Sequence, residues 1–238
     1  MIERVGVIIP ARDEEERIGA CLAAVLRAAR RSPVPVSVTV VADGCRDRTV
    51  AVARSFRGVR VIETDASNVG EGRRIGALGL DSPTTWLLST DADSVVPGNW
   101  ISTHVALAND GWDVVLGSVR PEFSELSDLQ FDAWHRVHGL GDRDGHVSVH
   151  GANLGVRASA YAAVGGYRPM PEHEDQDLAD RLTIYRVVPT DRCPVTTSGR
   201  SVGRTPGGYA RYLRDDLIPA ARGYSAPSRS SRSTAANV

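Results

Sequence analysis

The chain has 238 residues, 42% hydrophobic and 24% charged, with a net charge of −1. That is ordinary globular composition, enough to bury one large core or two small ones. All 28 basic residues are arginine, which excludes a P-loop lysine, a pyridoxal Schiff base and a nucleophilic lysine. A bound phosphate must therefore be held by arginine forks, backbone N–H groups or a metal ion. Three scattered cysteines, without a C-x-x-C pair, argue against a disulfide framework or structural zinc and fit a reducing compartment. No apolar run approaches the ~20 residues that cross a bilayer, and the N-terminus carries no signal-peptide pattern. The expectation is a cytoplasmic protein.

In chain order, "VGVIIP" reads as a strand covered on both faces. "ARDEEERIGACLAAVLRAARR" reads as a helix, with Asp13 and Glu16 at capping-box spacing and Ile18, Cys21, Leu22 and Val25 on one face. "PVSVTVVAD" and "VRVIE" are strands around a helix "RDRTVAVARSF" that Asp47 could cap. "NVGEGRRIGALGL" is a loop entering a helix, "TTWLLST" a strand, "WISTHVALAND" a helix and "WDVVLGSV" a strand. Beyond residue 120 the pattern loosens into a polar, aromatic-bearing stretch, a strand "HVSVHGANLGVR", a short helix "SAYAAVGGY" and the acidic helix "EDQDLADRL". The alternation predicts an α/β fold, a Rossmann-like, mainly parallel sheet flanked by helices in a single domain, with ligands at the carboxyl ends of the strands. Residues 1–93 and 94–224 read as two functional halves of that one domain, and 225–238 as a disordered tail. Residues 200–238 hold seven arginines against Asp215 and Asp216, a net of +5, and the rest of the chain is −6. A solvated basic face and a lid over an anionic substrate, led by Arg200 and Arg204, both fit this asymmetry.

Asp43 ends the second strand, and Asp91 and Asp93 follow the fourth, so three carboxylates converge on one sheet edge. Two like charges one residue apart need a cation, a hydrogen-bonding ligand or water to offset their repulsion. In "NVGEGRRIG" the glycines admit close backbone approach, the helix start favours anions, and Arg73 and Arg74 could fork to a diphosphate or stack on a base. His150 and His173, with Trp134, His135 and His138 in the irregular stretch, are further candidates for lining a site.

The ordered set "VIIPARDEEERI", "VVADGCRDRT", "NVGEGRRIG", "LLSTDADSVVPGNW", "GANLGVRASAYAAVGGY" and "EDQDLADRL" resembles family 2 glycosyltransferases of the GT-A fold over roughly residues 2–212. The resemblance implies a metal-dependent transfer of sugar from a nucleotide-diphosphate sugar to a hydroxyl on a small-molecule, glycan or lipid-linked acceptor, with residues 1–93 as the nucleotide-sugar-binding half and 94–224 as the acceptor-binding and catalytic half of one domain. It places Pro10, Asp43, Arg73 and Asp91 at the nucleotide, Asp93 on Mg²⁺ or Mn²⁺, and Asp175 of Glu174–Asp175 as general base of an inverting reaction. No nucleic-acid partner and no transmembrane segment are expected, which leaves peripheral membrane contact open. The pattern departs at Ala42, Gly72 and Arg74, and all six histidines lie at or before His173, without the C-terminal histidine ligand of some GT-A enzymes. A retaining enzyme and a non-catalytic nucleotide-sugar-binding module are the alternatives. A nucleotidyltransferase is disfavoured by "PARDEEERI" and the missing lysine. On the acidic helix, Asp175 and Asp177 point about 200° apart, so one carboxylate should dominate the base chemistry.

Overall fold

The structure, a computed structural model, describes residues 1–138, 149–203, 205 and 207–223. Arg204 and the tail expected at 225–238 lie outside the described residues. Apolar runs become the strands β1 (Arg4–Ala11), β2 (Val36–Asp43) and β4 (Thr85–Ser89), buried over most or all of their length. This is the mark of strands covered on both faces. With β3 (Val59–Thr64), β5 (Val114–Pro121), β6 (Leu154–Arg157) and β7 (Val187–Thr197) they form one sheet in the order β3-β2-β1-β4-β6-β5-β7. Pairing is parallel except at β6, which runs against both β4 and β5.

Helix α1 (Ile18–Ala29) buries Ile18, Cys21, Leu22 and Val25, the face its spacing predicts. The expected capping box does not form. The helix starts at Ile18, while Asp13 adopts a left-handed φ of 49° and accepts the Arg46 N–H at 2.7 Å. The next residues are held across the gap as well: Glu14 N–H donates to Thr49 Oγ1 and Glu15 N–H to Asp47 Oδ2. Hydrogen bonds between the two loops outcompete a local cap. Asp47 accepts the Thr49 N–H at 2.8 Å, one residue before the N-cap position of α2 (Thr49–Arg54).

After α3 (Val69–Ala77) and α4 (Trp100–Asn109), the stretch read as irregular folds into a 3₁₀ turn, Phe123–Glu125, and the helix α5 (Asp128–His138). The expected strand at 146–157 is shorter: Gly151–Asn153 forms a 3₁₀ turn, only Leu154–Arg157 is extended, and residues 146–148 lie outside the described residues. Asn153 explains the turn. Its buried side chain accepts from Trp100 Nε1 at 2.8 Å, lies 3.2 Å from His104 Nε2, and donates to the Ser118 and Cys193 carbonyls. One side chain thus ties α4, β5 and β7 beneath the site. The chain continues through α6 (Ala158–Ala163), α7 (Glu174–Arg181) and β7 to a C-terminal run of α8 (Tyr209–Arg211), a π-helical turn (Tyr212–Asp216) and α9 (Leu217–Gly223). Leu213, Leu217 and Ala221 of that run pack on Ala133 of α5.

Candidate active site

A cleft of about 1340 Å³ opens along the edge of the sheet where β1, β2 and β4 end. Pro10, Asp43, Arg73, Asp91, Asp93 and Asp175 all line it, so residues as far apart as 10 and 175 meet in one place.

Asp43, 6% exposed, accepts the Ser67 N–H at Oδ1 and the Asn68 N–H at Oδ2, both at 2.8 Å. It therefore fixes the loop from which α3 begins, and Asn68 in turn caps that helix through the Glu71 N–H. The third turn-end of the sheet carries Asp91 and Asp93. Their loop is pinned to β7 by the Val95–Thr196 backbone pair and by Ser94 Oγ to Thr197 Oγ1 at 2.9 Å.

Asp91 and Asp93 occupy different electrostatic settings. Asp91, its side chain 38% exposed, accepts from Arg73 Nη2 at 2.6 Å. Asp93 is nearly buried, and its carboxyl is pushed up to about 6 by that burial and by the neighbouring charge of Asp91, against the opposing pull of Arg200. Arg200 Nη2 stands 2.8 Å from Asp93 Oδ2 and also forks onto both oxygens of Glu14 at 2.7 and 3.1 Å. The basic C-terminal segment thus reaches the cleft through Arg200. Glu14, its buried partner, carries no signal of its own in the sequence, where it is one of four consecutive acids ahead of a helix.

The resemblance assigns Arg73 to the nucleotide side. In the structure its guanidinium is 3% exposed and engaged by Asp91, Glu174, Ser89 Oγ and the Gly151 carbonyl. Arg74 is on the surface, paired with Glu71. The three acids in the first turn of α7 separate as the helical geometry requires. Glu174 is buried against Arg73, and its carboxyl is raised by burial. Asp177 pairs with Arg168 and Arg181 and lies outside the cleft lining. Asp175 faces the cleft and accepts the Gly151 N–H at 2.6 Å and the Gln176 N–H at 2.8 Å.

His150 and His173 line the same cleft. Burial lowers the His150 imidazole pKa against the opposing charges of Asp175 and Asp91, and its ring meets Tyr209 edge-on at 5.7 Å. His138 lines the cleft too, stacked on Trp134 at 4.5 Å, whereas Trp134 and His135 pack into an aromatic cluster with Phe123 and Phe131. Among the described residues, a three-ligand grouping with metal-like spacing occurs at Asp13, Cys45 and Asp47, beside the cleft, and not at Asp91 and Asp93.

A mostly parallel sheet with carboxylates gathered at the carboxyl ends of its strands is an α/β architecture that places a ligand site at that edge. Residues 6–161 match the sequence profile of glycosyl transferase family 2, and the chain belongs to that family. It is 34% identical over 113 residues to a dolichyl-phosphate hexose transferase of Haloferax volcanii, a stretch covering 48% of this chain and 46% of that relative. It is 46% identical over 57 residues to a 4,4'-diaponeurosporenoate glycosyltransferase of Staphylococcus aureus, covering 24% and 14% of the two chains. The matched stretches thus span less than half of these relatives' own lengths. The fold is that of a mannosyltransferase, PcManGT from Pyrobaculum calidifontis in complex with GDP-Man and Mn²⁺ (TM-score 0.64, 16% identity, 94% of this chain and 74% of that one). It is equally that of S. aureus TarS 1-349 in complex with UDP (TM-score 0.60, 15% identity, 83% and 61% covered). Among the described residues no helix is long and apolar enough to cross a membrane.

Proposed function

We propose that this chain transfers a sugar from a nucleoside-diphosphate sugar to an acceptor hydroxyl, with inversion at the anomeric carbon. The observation that carries the reading is the convergence of Asp43, Asp91, Asp93 and Asp175 on one cleft; of the two α7 acids that line it, Glu174 is held by Arg73, which leaves Asp175 for the acceptor. Asp43 and Asp91 bind the base and ribose. Asp175 removes the acceptor hydroxyl proton as that oxygen bonds to the anomeric carbon, and the bond from that carbon to the diphosphate oxygen breaks on the opposite face. The released nucleoside diphosphate carries the electron pair of that bond.

The donor set suits a hard dication. Asp93 brings oxygen ligands whose negative charge burial leaves under-compensated, and Asp91 adds a like charge one residue away. Asp93 would hold Mg²⁺ or Mn²⁺, with the diphosphate and water completing its shell. When bound, the cation neutralises the charge that grows on the departing diphosphate. Arg200, at 2.8 Å from Asp93, is placed to supply further positive charge on that side. Two of the matched relatives are named for long apolar substrates, a dolichyl phosphate and a diaponeurosporenoate, which supports a lipid-linked acceptor for this chain.

Thermal unfolding against a panel of UDP-, GDP- and dTDP-sugars, with Mn²⁺ or with EDTA, tests the reading, because a ligand that binds only the folded state raises the midpoint by mass action. One donor class should stabilise the protein with Mn²⁺ and lose that effect in EDTA or in Asp93→Ala. Full sugar transfer in excess EDTA would overturn the metal assignment, and an α-configured product from an α-configured donor would overturn inversion.

A further inference from the structure

Arg73 lies where the two sides of the cleft meet. Its Nη2 holds Asp91 Oδ1 at 2.6 Å, its Nε holds Glu174 Oε1 at 2.8 Å, and its Nη1 donates to Ser89 Oγ and, at 3.2 Å, to the Gly151 carbonyl. The same glycine turns its N–H to Asp175 Oδ2 at 2.6 Å. A continuous path of direct hydrogen bonds therefore runs from the donor-side carboxylate through one guanidinium and one residue's backbone to the acceptor-side carboxylate.

The geometry points to Arg73, Glu174 and Gly151 as a positioning unit that fixes Asp91 and Asp175 relative to each other, so that donor and acceptor are held at reacting distance. The inference rests on the sugar-transfer reading above. Arg73 is too deeply enclosed to serve mainly as a nucleotide contact, and every arm of its fork is spent on protein. Glu174, 4% exposed, has its carboxylate turned to Arg73, and it acts on the reaction through that arginine. A buried guanidinium is tolerated only when its charge and its donors are matched, and this one is matched by two carboxylates. Gly151 completes the unit by its lack of a side chain. A Cβ there would stand 2.3 Å from Arg73 Nη2 and 2.7 Å from Cζ. An arginine tip normally yields to such an intrusion, but here four partners pin it. Misplacing reacting groups by an ångström is enough to cost orders of magnitude in rate.

The test compares Arg73→Gln, Glu174→Gln, their double variant and Gly151→Ala with wild type, using the sugar nucleotide that wild type consumes. Turnover is read as release of nucleoside diphosphate, with water as acceptor when no other is supplied, and binding as calorimetric titration of UDP and GDP in Mn²⁺. Each single variant should lower turnover at saturating donor by about tenfold or more, beyond any rise in donor KM. The double variant should be no slower than Arg73→Gln alone, because the Glu174 carboxylate is held by Arg73 and acts through it. A rise in donor KM with turnover intact in Arg73→Gln would make it a plain nucleotide contact and overturn the unit. So would additive losses in the double variant, or a Glu174→Gln enzyme within twofold of wild type. If Glu174→Gln does not fold, normal turnover by a folded Gly151→Ala overturns the unit. Wild type that neither binds nor consumes any sugar nucleotide would overturn sugar transfer itself, and the unit with it; active wild type with unimpaired variants overturns the unit alone.

Discussion

Asp93 carries a cost in the unliganded protein. Its carboxyl is raised to about 6 against an unfolded value near 3.8, so its contribution to stability is present at low pH and is lost as pH rises through about 6. Asp93→Asn should therefore unfold at a higher temperature than wild type near pH 7.5 without ligand, and the advantage should shrink toward pH 4. The same substitution should abolish Mn²⁺-dependent stabilisation by the donor, so that stability and binding move in opposite directions. Calorimetric scans at the two pH values check both. For Asp175, replacement by asparagine keeps shape and loses the proton acceptor; turnover should fall by about 10² or more with donor affinity largely kept. Asp177→Asn should leave the rate within about threefold, because Asp177 is spent on Arg168 and Arg181 on the far side of α7. Single-turnover rates and donor titrations of the two variants decide the matter, and a collapse in Asp177→Asn beside a normal Asp175→Asn would reverse the roles.

The strands were legible because each buried strand announces itself as an unbroken apolar run, and the carboxylates were legible because they follow those runs directly. What escaped was set by contacts distant in sequence. The Asp13–Glu16 cap looked sound locally, yet the neighbouring loop offered Asp13 and Glu14 better partners. Likewise α5 reads as a polar stretch until the C-terminal helices supply the surface that Ala133 needs. Glu14 and the buried state of Arg73 have no local signal at all; only a partner 186 or 101 residues away gives them meaning. The start of α3 shows how tight such long-range packing is. Gly70 N–H donates to the Met170 carbonyl at 3.1 Å, and a Cβ at Gly70 would lie 2.2 Å from the Arg168 carbonyl oxygen, a backbone atom with little freedom to yield. Gly70→Ala should destabilise the protein by about 2 kcal/mol and weaken donor binding, since the displaced helix carries Arg73. Urea unfolding and nucleotide titration measure the two effects, and an unchanged midpoint would show that the 168–170 segment gives way.

Acid should test the core as a whole through His104. Full burial holds its imidazole at about 4, below the ordinary 6.5, so the unfolded chain binds more protons between those values. Stability from this group is complete above pH 6.5 and is lost as pH falls through 4, about 3 kcal/mol in all. His104→Gln, less stable than wild type at pH 7, should close most of that gap by pH 4; a gap independent of pH would exclude the histidine as the acid-sensitive group. Underneath lies the one reversed strand of the sheet. A parallel strand reaches the cleft with its departing end, whereas β6 reaches it with its arriving end, beginning at Leu154 opposite Ser89 where β4 finishes. Chain polarity decides what chemistry a sheet edge can offer. Because the chain enters β6 at the cleft, the Gly151 amide hydrogen is directed at Asp175 while the same residue's oxygen meets Arg73. Reversing one strand in seven thus gives the site a main-chain donor and acceptor side by side, a pair that side-chain substitution can crowd but cannot delete.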